Sequence, residues 1–243
     1  MLARVTVVVP VGPGDAMSPR LRARLAALPS QVRVVHADAV PAISTGIAAT
    51  GSRLPPTGPP AMEIRKSPRW DIISAPRGRA TQQNAGARAA EGDWLWFLHA
   101  DSELAPQTLP ALARFIEAHD GRDALGYFEL RFLGDGPALM RLNAAGAWIR
   151  SHGFGLPFGD QGLLLPRRTF ERIGGFDPGL ARGEDHDLVW RLRRAGVPPR
   201  PVGAPLFTSA RRYAERGWAA TTASHLHETW RQARRFARAE PTR

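Results

Sequence analysis

Apolar residues in this chain follow two rhythms, and the switches between them mark out its elements. Residues 5–9 (VTVVV) and 32–35 (VRVV) are short β-branched runs, the pattern of strands buried in a parallel sheet. Between them, Ser18-Pro19 supplies an N-cap and a first-turn proline. Leu21, Leu25 and Leu28 give that helix one apolar face, and Pro29 ends it. Strand, helix and strand at this spacing predict a βαβ unit with a right-handed crossover. Residues 70–74 predict a third strand, and 79–91, rich in Ala, Gln and Arg, a helix stopped by Gly92-Asp93. Residues 94–98 (WLWFL) form an unbroken apolar run of strand length. A helix over 106–119 follows, with Leu109, Leu112, Phe115 and Ile116 on one face.

Residues 127–132 alternate strictly. Phe128, Leu130 and Phe132 fall on one side and Tyr127, Glu129 and Arg131 on the other, which predicts a half-buried strand, antiparallel or at an edge. Helices are expected over 137–150 and 184–195, and short strands over 163–165 and 206–209. A terminal helix over 217–239 carries Trp218, Leu226, Trp230 and Phe236 among many arginines. Residues 41–61, dense in Pro, Gly, Ser and Thr, read as a long mobile loop, because the α/β alternation resumes beyond it. The expectation is one α/β domain with a mostly parallel mixed sheet and a C-terminal helical extension.

Composition narrows the chemistry. There are no cysteines, which excludes disulfides and thiolate metal sites and is compatible with a reducing cytoplasm. No apolar run approaches the roughly 20 residues of a membrane-spanning helix. The opening residues read as a strand and not as a signal peptide. A net charge of +11, with arginine far outnumbering lysine, favours acidic partners such as nucleotides, phospholipid surfaces or nucleic acid.

Candidate chemistry gathers where the WLWFL strand ends, at His99-Ala100-Asp101. Ligands of open α/β sheets bind at such ends. A carboxylate there suits Mg²⁺ or Mn²⁺ shared with a diphosphate, and His99 suits either a nitrogen ligand of Mn²⁺ or a donor to a nucleotide. Arg77, Gly78 and Arg79 open the preceding helix, where N–H groups and guanidinium donors favour an anion. Glu184-Asp185 sits in a first helical turn, on the side of Leu188 and Val189, where the helix dipole keeps a carboxylate ionised and able to act as a base. Arg211-Arg212 is suited to neutralising a leaving diphosphate, and Asp160-Gln161 to binding hydroxyls. Each of these also has an ordinary structural explanation when taken alone. The terminal helix packs its aromatic stripe on the core or lies on an anionic membrane.

Four ordered blocks change that balance: 78–101 (GRA, Q, NAGA, A, GD, LHAD), 159–161 (GDQ), 174–192 (GGF, ED, RL) and 208–213 (TSARRY). With them the chain, over roughly residues 5–218, resembles the family 2 glycosyltransferases, and within them the small arsenosugar-biosynthesis-type enzymes. The resemblance implies a GT-A fold, divided into a nucleotide-binding half (1–105), an acceptor half (106–215) and a C-terminal helix (216–243). It implies transfer of a sugar from a nucleotide-diphosphate donor to an acceptor hydroxyl, small-molecule or lipid-linked, with inversion. A divalent cation, Mn²⁺ or Mg²⁺, is held by Asp101. His99 stands where the family has the first acid of its Asp-X-Asp motif and faces the nucleoside. Pro10, Asp38, Arg79 and Asn84 fall on the donor side, Asp160 and Gln161 on the acceptor or sugar side, and Arg211 and Arg212 beside the diphosphate. Asp185 is the implied base, with Glu184 supporting it. The sequence departs from the family at Gly12-Pro13-Gly14-Asp15, where Asn-Glu is usual, at His36, where an acid is usual, and at Tyr213, where Trp is usual. A nucleotidyltransferase would need a glycine-rich, lysine-bearing loop after the first strand, which 12–15 lacks. The remaining rival is a basic nucleic-acid- or membrane-binding protein on a relict transferase fold. No RNA-binding motif is present, and the transferase reading expects no nucleic-acid partner. The expected setting is the cytoplasm, with peripheral contact to the inner face of the membrane through the basic terminal helix.

Overall fold

The computed structural model describes residues 1–37, 64–66 and 70–238, so the expected loop over 41–61 and the candidate Asp38 lie outside the described residues. The strands, in chain order, are β1 (Val5–Val11), β2 (Gln31–Ala37), β3 (Ile64–Lys66), β4 (Asp71–Ala75), β5 (Trp94–Phe97), β6 (Glu103–Leu104), β7 (Leu125–Phe132), β8 (Leu164–Pro166) and β9 (Pro199–Thr208). The helices are α1 (Pro19–Ala26), α2 (Arg79–Arg88), α3 (Thr108–Ala118), α4 (Met140–Gly153), α5 (Arg167–Arg172), α6 (Glu184–Arg194), α7 (Arg211–Arg216) and α8 (Trp218–Arg238).

All nine strands join one mixed sheet in the order β3-β4-β2-β1-β5-β8-β7-β9-β6. The β-branched runs pair as their composition demands. β1 lies parallel between β2 and β5, and β4 extends the parallel set beyond β2. Beyond β5, β8 runs antiparallel between β5 and β7, and β9 lies parallel to β7. The sheet buries both faces. Val5, Val7, Val9, Val32, Val34, Trp94 and Trp96 meet α1 and α3 on one side. Val8, Val35, Ile73, Leu95 and Phe97 meet α2, α5 and α6 on the other. Each large apolar side chain so buried contributes roughly 1.5–3 kcal/mol relative to exposure. The α2 face is thin because its residues are small: a Cβ on Gly86 would fall 2.4 Å from Val8 Cγ1.

Two expectations are corrected. β7 does run antiparallel to β8, but it is not an edge strand, and Tyr127 is 1% exposed, because β8 and β9 flank the strand and α4 covers it. β9 begins at Pro199, well before the expected 206. Its prolines sit along a stretch that β6 leaves unpaired, and Gly203 (φ 80°) marks a register shift in the β7 ladder.

Because β1, β2, β4, β5, β7 and β9 point one way, their C-terminal ends share one rim with the N-termini of α2 and α6 and the approach to β8. That rim carries the candidate chemistry.

Candidate active site

The rim is built from four chain segments. The first is the turn after β5, closed by Ser102 N–H donating to the His99 carbonyl and tied to α1 by Ser18 N–H donating to Ala100 O. This turn carries His99 and Asp101. The second is the start of α2, where Gly78 takes φ 141°, a conformation L side chains rarely adopt, and lets Arg79 open the helix. The third is the start of α6, entered through Gly183 at φ 80°. Glu184, Asp185 and Asp187 fill its first turn and Arg191, Arg193 and Arg194 its last, matching both ends of the helix dipole. The fourth is the single 3₁₀ turn Gly159–Gln161 before β8.

These segments interlock at Gly159. Its N–H donates to Asp185 Oδ2 at 2.5 Å. The point where a Cβ on Gly159 would stand lies 3.0 Å from that oxygen and 3.2 Å from His99 Nε2, so Asp185 and His99 face each other across a glycine that cannot carry a side chain without pushing them apart. Burial opposes the charge on Asp185. The His186 cation, the Gly159 N–H, Arg79 and the His186 N–H outweigh it and hold the carboxyl below its usual range. Glu184 behaves oppositely: burial and the charge of Asp185 raise it, and Arg79, whose Nε lies 3.7 Å from Glu184 Oε1, partly offsets them. Arg79 therefore spans from the start of α2 to the acidic pair on α6.

Asp160 stands apart among the carboxylates. Burial first, then the charges of Asp185 and Asp101, against Arg150 and Arg79, push its pKa up to about 6. Its Oδ1 is buried without a hydrogen-bond partner among the described residues. Three carboxylates from three segments, Asp101, Asp160 and Asp185, thus share one electrostatic neighbourhood.

Arg150 is the site residue that the sequence reading missed. It leaves α4 to donate from Nε to Leu156 O (2.8 Å) and from Nη2 to Gln161 Oε1 (2.9 Å), with its guanidinium 3.1 Å from the Phe158 ring centroid. Burial lowers its pKa, and Asp160 and Asp185 work to keep it charged. His186, whose ring centroid lies 3.5 Å from that of Phe158, was missed as well. An arginine and a histidine in an arginine-rich chain carry no local signal; only the fold brings them to the carboxylates.

The other candidates make contacts of their own around the rim. Gln161 is 1% exposed; its Oε1 accepts from Arg150, Ser151 and the Phe158 N–H, and its amide nitrogen donates to Phe128 O. It shapes the turn that positions Asp160. Asn84 brackets Phe176, donating to its carbonyl (2.8 Å) and accepting from its N–H (3.0 Å), and so fixes the Gly174-Gly175-Phe176 turn. Pro10 stands within β1 opposite Val35. Beside it, Gln82 Nε2 donates to both Val11 O and Val35 O and clamps the ends of β1 and β2. Arg211 is exposed at the start of α7, with Ser209 and Asp135. Arg212 lies in the same helix. Burial raises the Tyr213 phenol, Asn143 lowers it, and the Asp160 charge raises it further, which places this residue at the Asp160 side of the rim.

The donor set can be tested against a divalent cation. Among the described residues no three His, Asp or Glu groups are arranged to hold one by themselves. Asp101, with the unpartnered Oδ1 of Asp160 in the same neighbourhood, supplies one or two carboxylates, which suits Mg²⁺ or Mn²⁺ when substrate phosphates fill the other positions.

Comparison with known proteins bears on the family and the fold. Residues 56–176, about half the chain, match the family model described as Glycosyl transferase family 2. The O-antigen biosynthesis protein RfbC of Myxococcus xanthus is 29% identical over 141 residues, covering 53% of this chain and 10% of that protein, so the chain spans about a tenth of the length of this curated relative. Among solved structures, the mannosyltransferase PcManGT from Pyrobaculum calidifontis, in complex with GDP-Man and Mn²⁺, aligns with a TM-score of 0.64 at 17% identity, over 96% of this chain and 64% of that one. S. aureus TarS 1-349, in complex with UDP-GlcNAc, aligns at 0.54 and 15% identity, over 85% of this chain and 58% of that one. At such identities the likeness is one of fold.

Proposed function

Given that this chain belongs to the family 2 glycosyltransferases and has their GT-A fold, we propose that it transfers a sugar from a nucleotide-diphosphate donor to an acceptor hydroxyl, with inversion at the anomeric carbon. The observation that carries this reading is the Asp185 carboxylate at the start of α6, held ionised by His186, the Gly159 N–H and Arg79, with His99 facing it across Gly159.

In this reading Asp185 accepts the proton of the acceptor hydroxyl. The freed oxygen attacks the anomeric carbon from the face opposite the diphosphate, the C–O bond to the diphosphate breaks, and the developing charge resembles that of glycoside hydrolysis. Glu184, raised by burial and paired with Arg79, supports the base. Arg79 and the α2 N-terminus face the diphosphate; Arg211, at the start of α7 just beyond β9, is suited to receive it, with Arg212 next in the chain. His99 faces the nucleoside, and Pro10 with the Gln82 clamp shapes the wall beneath it. Asp101, helped by Asp160, would hold Mn²⁺ or Mg²⁺, which when bound neutralises charge on the leaving diphosphate. The narrower likeness to arsenosugar-type enzymes rests on the four motif blocks.

Calorimetric titration of UDP, GDP, CDP and TDP with Mn²⁺ tests the assignment. The wild type is expected to bind one of them, Asp101→Ala to lose that binding, and Asp185→Asn to keep it while transfer falls by about 10²–10⁴. Loss of nucleotide binding in folded Asp185→Asn would contradict the role given to Asp185. Failure of the wild type to bind any nucleotide would remove the donor site altogether.

A further inference from the structure

Five large apolar side chains are exposed on or beside one helix. Leu139 (46%), Leu142 (60%), Trp148 (54%), Ile149 (53%) and Phe154 (64%) all belong to α4 or its immediate flanks. Leu142, Ala145 and Ile149 recur at helical spacing on its outer side, whereas Met140, Ala147 and Ser151 face inward. Single exposed hydrophobics are ordinary, but a contiguous row of this kind marks an interaction surface.

The charge around the row identifies what it meets. Between Asp135 and Asp160 the chain has no acidic residue, while Arg141 lies exposed beside Leu142. Arg193 donates to the Phe154 carbonyl at 2.9 Å at the far end. α8 docks on the inward side of the same helix, with Trp218 Nε1 donating to Asn143 Oδ1 and Asn143 donating to Thr222. It carries Arg231 and Arg234, the latter 4.4 Å from the Trp230 ring centroid, and Trp230 is 55% exposed. Apolar and aromatic side chains flanked by Arg141 and Arg193 suit the headgroup–acyl boundary of an anionic bilayer. A nucleic acid would satisfy the arginines but would leave Leu142 and Ile149 with no apolar surface to meet.

We propose that the outer face of α4 is a docking surface for an anionic lipid bilayer. The face differs from the one expected from sequence: the apolar row lies on α4, and α8 adds charge behind it. The same helix sends Arg150 inward to Gln161 and into the charge neighbourhood of Asp160, so one helix joins the docked face to the acidic rim. On the glycosyl-transfer reading, an acceptor hydroxyl carried by a lipid would arrive at that rim.

The test is co-sedimentation of the full chain with vesicles of phosphatidylcholine alone and of phosphatidylcholine mixed with phosphatidylglycerol. The variant is Leu142→Glu/Ile149→Glu, two exposed positions outside the catalytic machinery. The wild type is expected to bind the anionic vesicles, and the variant to bind them about tenfold or more weakly, with an unchanged thermal melt and unchanged nucleotide binding. No binding by the wild type would overturn the proposal. Equal binding by the variant would also overturn it, by assigning the affinity to arginine alone. A wild-type dimer that the variant dissociates would assign the face to a second copy of the chain. Nucleotide binding, measured on the same samples, separates any of these results from failure of the transferase reading.

Discussion

Two side chains at the rim make opposite electrostatic demands, and each can be read out. Asp160 has a folded pKa of about 6 against an ordinary value of 3.8. A carboxyl raised in this way keeps its proton longer when folded than when unfolded. Its cost to stability is absent below pH 4, grows as pH rises, and is complete above pH 6, at about 2–3 kcal/mol. Asp160→Asn should therefore match the wild type in denaturant melts near pH 4 and exceed it in stability at pH 7.5. A constant difference across that range would show the carboxylate to be ordinary. Gly159→Ala makes a second test. The added methyl would press on Asp185 and His99 at 3.0 and 3.2 Å, so transfer should fall by about ten- to a hundredfold with little change in melting temperature. The place of Asp185 in the first turn of α6 was legible in the sequence because helix dipoles and an apolar face act over one turn. The raised pKa of Asp160 was not, because Asp101 and Asp185, which help produce it, lie 59 and 25 residues away along the chain.

At the scale of elements, α2 and α6 are locked through the turn between α5 and α6. Asn84 holds both backbone groups of Phe176, and Arg191 reaches from α6 to the carbonyls of Ile173 (2.7 Å) and Gly175 (2.6 Å) while pairing with Asp187. Asn84→Ala leaves two backbone groups short of partners and should destabilise the protein by about 2–3 kcal/mol, with nucleotide affinity little altered. A large loss of affinity without a change in stability would restore Asn84 to the donor site, where sequence reasoning set it. The elements themselves were readable wherever local rhythm was strong: the VTVVV and WLWFL runs, the capped α1 and the charge-graded α6. β9 and Tyr127 were misjudged for one reason. Their environment is set by neighbouring strands, and prolines or alternation say nothing about who those neighbours are. The terminal stripe was only half legible, since Trp218 docks on Asn143 while Trp230 faces outward.

For the whole molecule, the order of strands in space differs from their order in the chain, and this governs when the protein can be completed. β1, β2, β4 and β5 find parallel partners within the first hundred residues, so that half of the sheet can pair as soon as it is made. β6, only two residues after the Asp101 turn, pairs with Leu206 and Phe207 of β9, the last strand among the described residues. Asp160 and Asp185 also come late. During synthesis the candidate rim therefore stays open at one margin through about a hundred further residues, with the apolar faces of β5 and α3 waiting for cover. Long-range closure of this kind is slow and exposes sticky surface meanwhile. A ribosome-bound fragment ending before residue 199 would lack β9 and leave β6 without its partner, so this margin of the sheet closes only when that strand emerges.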